Sequence, residues 1–453
     1  MDVLTELIRS LPAGVVVTDA TATEKYRYDW SRDASAGTPL AVVRAEDASQ
    51  VQATVRWAAA HRVPVVPRGA GSGLSGGSSA VDGGIVLSLE RMRAIEVDAD
   101  CQVAVVEPGA YNAEVKAAAA EHGLWYPPDP SSFEICSIGG NVATNAGGLC
   151  CVKYGVTTDY VLGLDVVLAD GTLVTLGGKR IKDVAGLSLT KLFVGSEGTL
   201  GVVTRAILRL VPAQGARSTL VAYFPTAVAA AQAVVAVRSR MRPSMMELMD
   251  RWSINCIEDY KPMGLDRDAG ALLIAQSDAP GTSRGEEVAL MEQACSAAGA
   301  SEVFVTDDAE EGEMFVAARR AHFHATESRG ALLLEDVGVP VPLLPDLLAR
   351  VAEIAARHRV EIPVVAHAGD GNTHPIVVYP PGDVAAEQRA RAAFDEVMAA
   401  AIALGGTITG EHGVGRAKKH ALPDQLGPDV MALTRKIKDA LDPDGIMNPG
   451  AVL

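Results

Sequence analysis

Residues 65–88 read VVPRGAGSGLSGGSSAVDGGIVLS, a glycine-rich loop between two apolar runs, and the way this loop ends decides the fold. The spacing Gly71-x-Gly73-x-x-Gly76 after a strand matches the dinucleotide fingerprint of doubly wound sheets. That fingerprint must open a helix, because the helix N-terminus carries the pyrophosphate. Here the chain runs on through SGGSSAVDGG into a further strand, IVLSLE, so the doubly wound reading is excluded. A triphosphatase phosphate loop is excluded as well, since no Gly-Lys-Ser/Thr follows. What remains is a nest of glycine amides beside Arg68, whose N–H groups can approach an anion with no side chain in the way. A pyrophosphate fits such a nest.

Two further segments of the same kind, SIGGNVATNAGG (137–148) and VGSEGTLGVVT (194–204), lie in the same half of the chain. Three places where the backbone can approach a ligand point to a large nucleotide. Around them, residues 47–62 have a polar cap and helical apolar spacing, and a second helix over 112–122 ends at Gly123, a residue suited to the left-handed C′ position. Residues 127–150 show little regular pattern and are expected to be a long functional loop. After Pro212 longer helices and strands alternate: helix TAVAAAQAVVAVRSR, strand ALLIAQS, helices GEEVALMEQACSAAG and EMFVAARRAHFHATESR, then strand ALLLEDVGV. This implies an α+β sheet domain with helices on one face, beginning near 212–216.

The chain has 453 residues, ample for several domains, and a formal net charge of −16 that argues against nucleic acid or an anionic membrane as partner. Aromatics make up 4%, so the cores should be aliphatic. The six cysteines form no C-x-x-C or ferredoxin-type run, so neither a disulfide framework nor an iron–sulfur cluster is indicated. The start, MDVLTELIRSLPAG, lacks the apolar stretch of a signal peptide, and the Ala/Val tract from Ala227 is too short to span a bilayer. A cytoplasmic location is expected, with room for peripheral association at the inner face of the membrane.

A separate constellation lies in VVAHAGDGNTHPIVVY (364–379). Asp-Gly between apolar runs signals a two-residue hairpin turn. With Asp370-Gly371 as that turn, His367 pairs with His374. Opposed Cβ atoms are about 4.5–5.5 Å apart, from which two imidazoles can converge on one metal ion at about 2.0–2.1 Å per bond. A hydrogen-bonded histidine pair in an ordinary hairpin meets the same pattern.

Taken together, PRGAGSGLSGG, PDPSSFEICSIGGNVATNAGG, KYGVTTDYVLGLDVV, VGSEGTLGVVT, HAGDGNTHP, GEHGVG and DPDGIMNPG resemble the FAD-linked oxidases of the vanillyl-alcohol oxidase type, in the branch of the glycolate oxidase FAD subunit and D-lactate dehydrogenase. The resemblance runs in order over residues 35–453. It implies an α+β fold: a two-lobed FAD-binding domain of PCMH type (1–213), a ferredoxin-like substrate or cap domain (214–405) and a C-terminal segment (406–453) that returns to the flavin. By the same resemblance Arg68, Gly69, Ala70, Gly71, Ser72 and Gly73 cradle the FAD pyrophosphate, and Pro130, Ser131, Ser137, Gly140, Asn141 and Thr144 follow the cofactor. Gly198 and Val203 match the segment near adenine and ribose, and Asn448 the tail residue near the isoalloxazine. Ser72 stands where members with covalent flavin often carry a histidine, so the FAD is expected to be noncovalent.

The reaction implied is oxidation of a small D-2-hydroxy acid, with hydride passing to flavin N5 and a base taking the hydroxyl proton. A divalent metal, zinc or manganese, would acidify that hydroxyl, held by His367 and His374 with Glu411 of GEHGVG as third ligand. His412 is the candidate base and Arg319 the candidate clamp on the substrate carboxylate, its plainer reading being an exposed helix arginine. Relatives that oxidise a dicarboxylate add a threonine and a lysine where this chain has Phe323 and Leu334 or Glu335, which favours a small or apolar substrate side chain. The electron acceptor is expected to be a quinone, cytochrome, flavoprotein, separate iron–sulfur subunit or oxygen, and a second copy of the chain is a further expected partner. Competing functions are a metal-dependent hydrolase or lyase without flavin, an ether-lipid-type transferase using FAD without net oxidation, and a flavin-binding scaffold subunit.

Overall fold

The structure, a computed structural model, describes residues 3–453. It divides into two compact units: Met1–Gly147 with Val156–Ala213 and Glu411–Leu453, and Gly148–Gly155 with Gln214–Gly410. This differs from the three-part division expected from the sequence in two respects. The returning segment starts at Glu411 rather than 406, and the short stretch 148–155 joins the second unit. There the buried Asp278 carboxylate accepts from Lys153, from the Tyr154 hydroxyl and, at 3.1 Å, from Gln214.

In the first unit β1 (Val16–Val17), β2 (Ala41–Arg44), β3 (Val65–Arg68) and β4 (Ile85–Ser88) form a sheet in the order β1-β2-β4-β3, parallel except for the β1–β2 pair. Helix Ala48–His61, capped by Asp47, packs Val51, Val55 and Ala58 on this sheet. A second, antiparallel sheet contains β5 (Ile95–Asp98), β6 (Val103–Val106), β8 (Val161–Val167), β9 (Leu173–Gly177) and β10 (Val202–Arg209) in the order β5-β6-β10-β8-β9. The short β7 (Leu124–Trp125) pairs with β11 (Val211–Pro212). The two lobes have separate aliphatic cores, as the scarcity of aromatics implied. From the C-terminal segment, Met447 bridges to Val65 of β3, with Ile446 O accepting from Val65 N at 2.8 Å.

The stretch read as irregular, 127–150, contains a helix, Ile138–Thr144, despite two glycines in it. Ser137 caps it, Asn145 ends it in the left-handed region at φ 54°, and Ile138 and Val142 enter the second lobe's core. Burial of those two side chains outweighs the entropic cost of the glycines, roughly 1 kcal/mol each.

The second unit carries β12 (Ser218–Phe224), β13 (Met245–Asp250), β14 (Ala271–Ser277), β15 (Glu302–Thr306), β16 (Ala331–Leu334), β17 (Val337–Gly338), β18 (Val364–His367) and β19 (Asn372–Tyr379). Their order is β15-β12-β14-β13-β18-β19-β16, with β17 also on β19. Strands β15-β12-β14-β13 reproduce the ferredoxin-like arrangement, and the hairpin β18–β19 widens it. Every residue of β12 and β14 is buried, so both faces are covered rather than the single face expected. Helices Arg251–Tyr260 and Ala309–Glu327 cover one face through Ile254, Ile257, Val316 and Ala318, and Ala227–Arg238 and Ser283–Ala297 lie on the other. Among the described residues no helix is long and apolar enough to cross a membrane.

Candidate functional site

The first glycine loop leaves β3 at Arg68, whose guanidinium is buried, held below its usual basicity by desolvation, and hydrogen-bonded to Ser78 O at 3.4 Å. Gly71 follows at φ +75°, and a Cβ there would sit 2.0 Å from Arg68 Nη2. At Gly69 a Cβ would meet Ser137 Oγ at 2.2 Å. That hydroxyl accepts from Ala70 N at 3.1 Å and from Gly140 N at 3.4 Å, so one serine joins the first and second loops. Gly73 packs toward the buried Asp29, and its carbonyl accepts from Trp30 N. Ser72 is half-buried in the same turn.

In the second segment Pro130 is buried and Ser131 exposed. Asn141 faces inward, its Oδ1 accepting from Asn112 Nδ2 at 3.0 Å, so this side chain braces the segment. Thr144 Oγ1 donates back to Gly140 O. In the third loop Gly198 is at φ +71°, against Pro67, while Val203 is half-buried in β10 beside the second lobe's core.

Glu197, which sequence reasoning passed over, ties these loops to the C-terminal segment. Its two carboxylate oxygens accept from Val414 N at 2.7 Å and Gly415 N at 2.9 Å, and burial pushes its carboxyl up to about 7. Ser75 Oγ donates to Gly413 O at 2.8 Å, which fixes GEHGVG from the other side. Asn448 Nδ2 donates to Gly77 O and Glu197 O, whereas its buried Oδ1 has no hydrogen-bond partner among the described residues. Glycines packed too closely against Ser137 and Arg68 for any Cβ, which leave the loop backbone bare, together with this buried acceptor, fit a nucleotide cofactor whose phosphates take backbone N–H groups and whose ring system offers a donor.

In the second unit the hairpin differs from its expected register. His367 pairs with Asn372, and Val365 with His374, around a four-residue loop, Ala368–Gly371. The Asp370 carboxylate turns back onto Asn372 N, and Gly371 takes φ +85°, so the chain closes a wider turn than Asp-Gly alone. Because side chains alternate with period two, a slip of two residues keeps both histidines on one face. They are diagonal rather than opposed, with ring centroids 5.0 Å apart and planes at 88°.

Each imidazole meets a buried carboxylate. His367 Nδ1 lies 2.8 Å from Glu247 Oε1, on the adjacent β13, and His374 Nδ1 lies 3.6 Å from Asp336 Oδ1. Arg319 is buried, not an exposed helix arginine: its Nε is 2.9 Å from Glu247 Oε2, too poorly aligned for a hydrogen bond. One turn later His322 is buried, and desolvation, with the Arg319 guanidinium nearby, holds its imidazole well below the usual histidine range. Asp336 also accepts from Asn372 Nδ2 at 2.7 Å, the Thr409 hydroxyl at 2.7 Å and Gly410 N at 2.9 Å. Within its own unit Glu411 Oε1 lies 3.8 Å from His412 Nε2. Glu247, Asp336 and His322 were missed from the sequence. For the two acids, a carboxylate in or directly after an apolar strand, as in MMELMD and ALLLED, was the available signal.

Residues 39–177 match the FAD binding domain family, and residues 213–452 match the family of FAD linked oxidases, C-terminal domain. The chain is 40% identical to the glycolate oxidase subunit GlcD of Bacillus subtilis over 415 residues, 91% of this chain and 88% of that one. It is 35% identical to a D-lactate dehydrogenase of Archaeoglobus fulgidus over 420 residues, 91% of each chain. Among solved structures, 4-ethylphenol oxidase from Gulosibacter chungangensis superposes with a TM-score of 0.82 at 19% identity, over 100% of this chain and 96% of that one. p-Cresol methylhydroxylase superposes with a TM-score of 0.83 at 17% identity, over 99% and 96%. These two likenesses concern the fold, the PCMH-type FAD-binding architecture.

Proposed function

We propose, for a chain that belongs to the FAD-linked oxidase family, that it oxidises a small D-2-hydroxy acid of the lactate or glycolate class to the 2-oxo acid. The names of its relatives, glycolate oxidase subunit and D-lactate dehydrogenase, support that substrate class. The observation that carries the reading is the buried polar cluster of the second unit. Two imidazoles share one face, with carboxylates 2.8 Å and 3.6 Å from their Nδ1 atoms, beside a buried arginine, on elements outside the residues that match the FAD binding domain. Such a set is costly in an apolar interior unless a ligand uses it.

FAD, held noncovalently by residues 68–73, Ser137, the Glu197–Gly198 turn and Asn448, supplies the two-electron acceptor. His367, His374 and Glu411 are the ligands we assign to a divalent ion, zinc or manganese, which would lower the pKa of a hydroxyl bound to it. Three protein ligands with an open position are the donor set of a catalytic site. Arg319 holds the substrate carboxylate by its planar fork, orienting Cα–H for transfer. His412 accepts the hydroxyl proton as hydride leaves Cα, so two electrons and two hydrogens are removed and the carbonyl forms. Phe323, one turn beyond Arg319, favours a substrate with a small or apolar side chain. The electrons then pass to a separate acceptor, a quinone, cytochrome, flavoprotein or iron–sulfur subunit.

Purified protein should be yellow, release its flavin into the supernatant on acid precipitation, and bleach anaerobically with D-lactate or glycolate. Bleaching by dithionite but by no 2-hydroxy acid would contradict the substrate class. Flavin that stayed in the acid pellet would contradict noncovalent binding.

A further inference from the structure

Glu247 occupies a position that neither the flavin nor the substrate explains. It stands in the middle of β13, where Met246, Leu248 and Met249 are all buried, and it is itself completely buried. Its carboxylate lies between Arg319 on one side and His367 on the other, 2.9 Å and 2.8 Å away. As a structural ion pair this arrangement is a poor bargain, since well-packed apolar residues of similar volume are commonly as stable as a buried pair. The geometry at the imidazole is more informative. A carboxylate can only accept, so the short contact puts the proton on His367 Nδ1 and the lone pair on Nε2. On the carboxylate's other side the Arg319 guanidinium lies 2.9 Å away as counter-charge.

We infer that Glu247 is a positioning residue: it fixes His367 in the Nδ1–H tautomer and so makes Nε2 the nitrogen that binds the metal. This rests on the metal reading above and adds to it a residue that touches neither the ion nor the substrate. Carboxylates behind ligand histidines commonly contribute 10–100-fold to metal affinity. The effect is conveyed through His367 alone, so it should vanish when His367 is absent.

The experiment is a double-mutant cycle read by zinc affinity, with a chromophoric chelator as competitor, on the flavin-loaded wild type, Glu247→Gln, His367→Ala and the double variant. Glu247→Gln should weaken zinc binding about 10–100-fold, and in the His367→Ala background the same change should do nothing further. Unchanged affinity in Glu247→Gln, or additive losses in the cycle, would overturn the inference and leave the metal site standing. A wild type that binds no zinc would overturn the metal reading and this inference with it. Nitrogen-15 spectra of the histidine rings in zinc-free wild type provide a check that needs no folded variant at residue 247. With the signal assigned by its loss in His367→Gln, His367 should be protonated at Nδ1, and protonation at Nε2 would refute the inference.

Discussion

In the first unit the groups that would meet a ligand are backbone atoms, and side chains matter there mainly by being absent or by holding loops together. Gly69 and Gly71 leave room that Ser137 and Arg68 would otherwise lose, and one hydroxyl, Ser137 Oγ, joins two loops. In the second unit the relation is reversed: His367, His374 and Arg319 stand on regular strands and a helix, with buried carboxylates beside them, one of which is hydrogen-bonded to His367. Loops made of amides suit a large, flexible, multiply charged nucleotide. Side chains fixed on rigid elements suit chemistry at one small centre. The two regions should therefore fail separately, the first by losing flavin and the second by losing catalysis with flavin retained.

The largest effect is expected at Gly71→Val. A branched side chain at φ +75° costs about 1–3 kcal/mol in backbone strain alone, and its Cβ would occupy the place of the Arg68 guanidinium. The purified variant should be colourless or poorly folded, and a fully yellow protein would break the contrast between the regions. Arg319→Lys comes next. It should stay yellow while kcat/KM falls about 10–100-fold, or roughly 1.4–2.7 kcal/mol, because an ammonium cannot reproduce the planar two-point contact. Unchanged kinetics would remove Arg319 from the substrate site.

Glu197 sharpens the comparison through pH. Its carboxyl sits at about 7 rather than 4.5, raised by burial against the opposing pull of the Val414 and Gly415 N–H groups. The native state thus holds this proton more tightly than the unfolded chain. The stability it contributes is complete below the unfolded value of 4.5 and is lost as pH rises through 7. The difference corresponds to about 3 kcal/mol. Urea unfolding at pH 5 and pH 8 should show wild type losing up to that amount relative to Glu197→Gln. Parallel pH dependence would mean that this carboxyl titrates normally. The smallest effect is expected at Ser137→Ala, which removes one cap and one inter-loop bond, about 1 kcal/mol. Flavin affinity should fall several-fold, with metal content unchanged.

The sequence was most legible where function depends on missing side chains, because glycine runs that end in a strand leave few other readings. The hairpin shows a different kind of legibility. Its pairing register was read two residues out, yet the histidines still share a face, because an even slip preserves the alternation. Helix Ile138–Thr144 was not readable, since its support comes from a core assembled elsewhere in the chain. In FVAARR, two adjacent arginines are equivalent on paper. Only tertiary packing separates them, with the Arg319 side chain 6% exposed and Arg320 29%. Glu247 and Asp336 were hidden for the same reason, each being an acid whose histidine partner lies on a strand distant in sequence.

The claim that the two regions are separable is tested most directly by His374→Ala, with bound metal by elemental analysis, flavin by absorbance and turnover with D-lactate or glycolate measured on one preparation beside wild type. Wild type should carry stoichiometric metal. The variant should keep its flavin, lose most of the metal and most of the turnover, and still be reduced by dithionite. Loss of flavin together with the metal, or a wild type without metal and indifferent to chelators, would contradict the account.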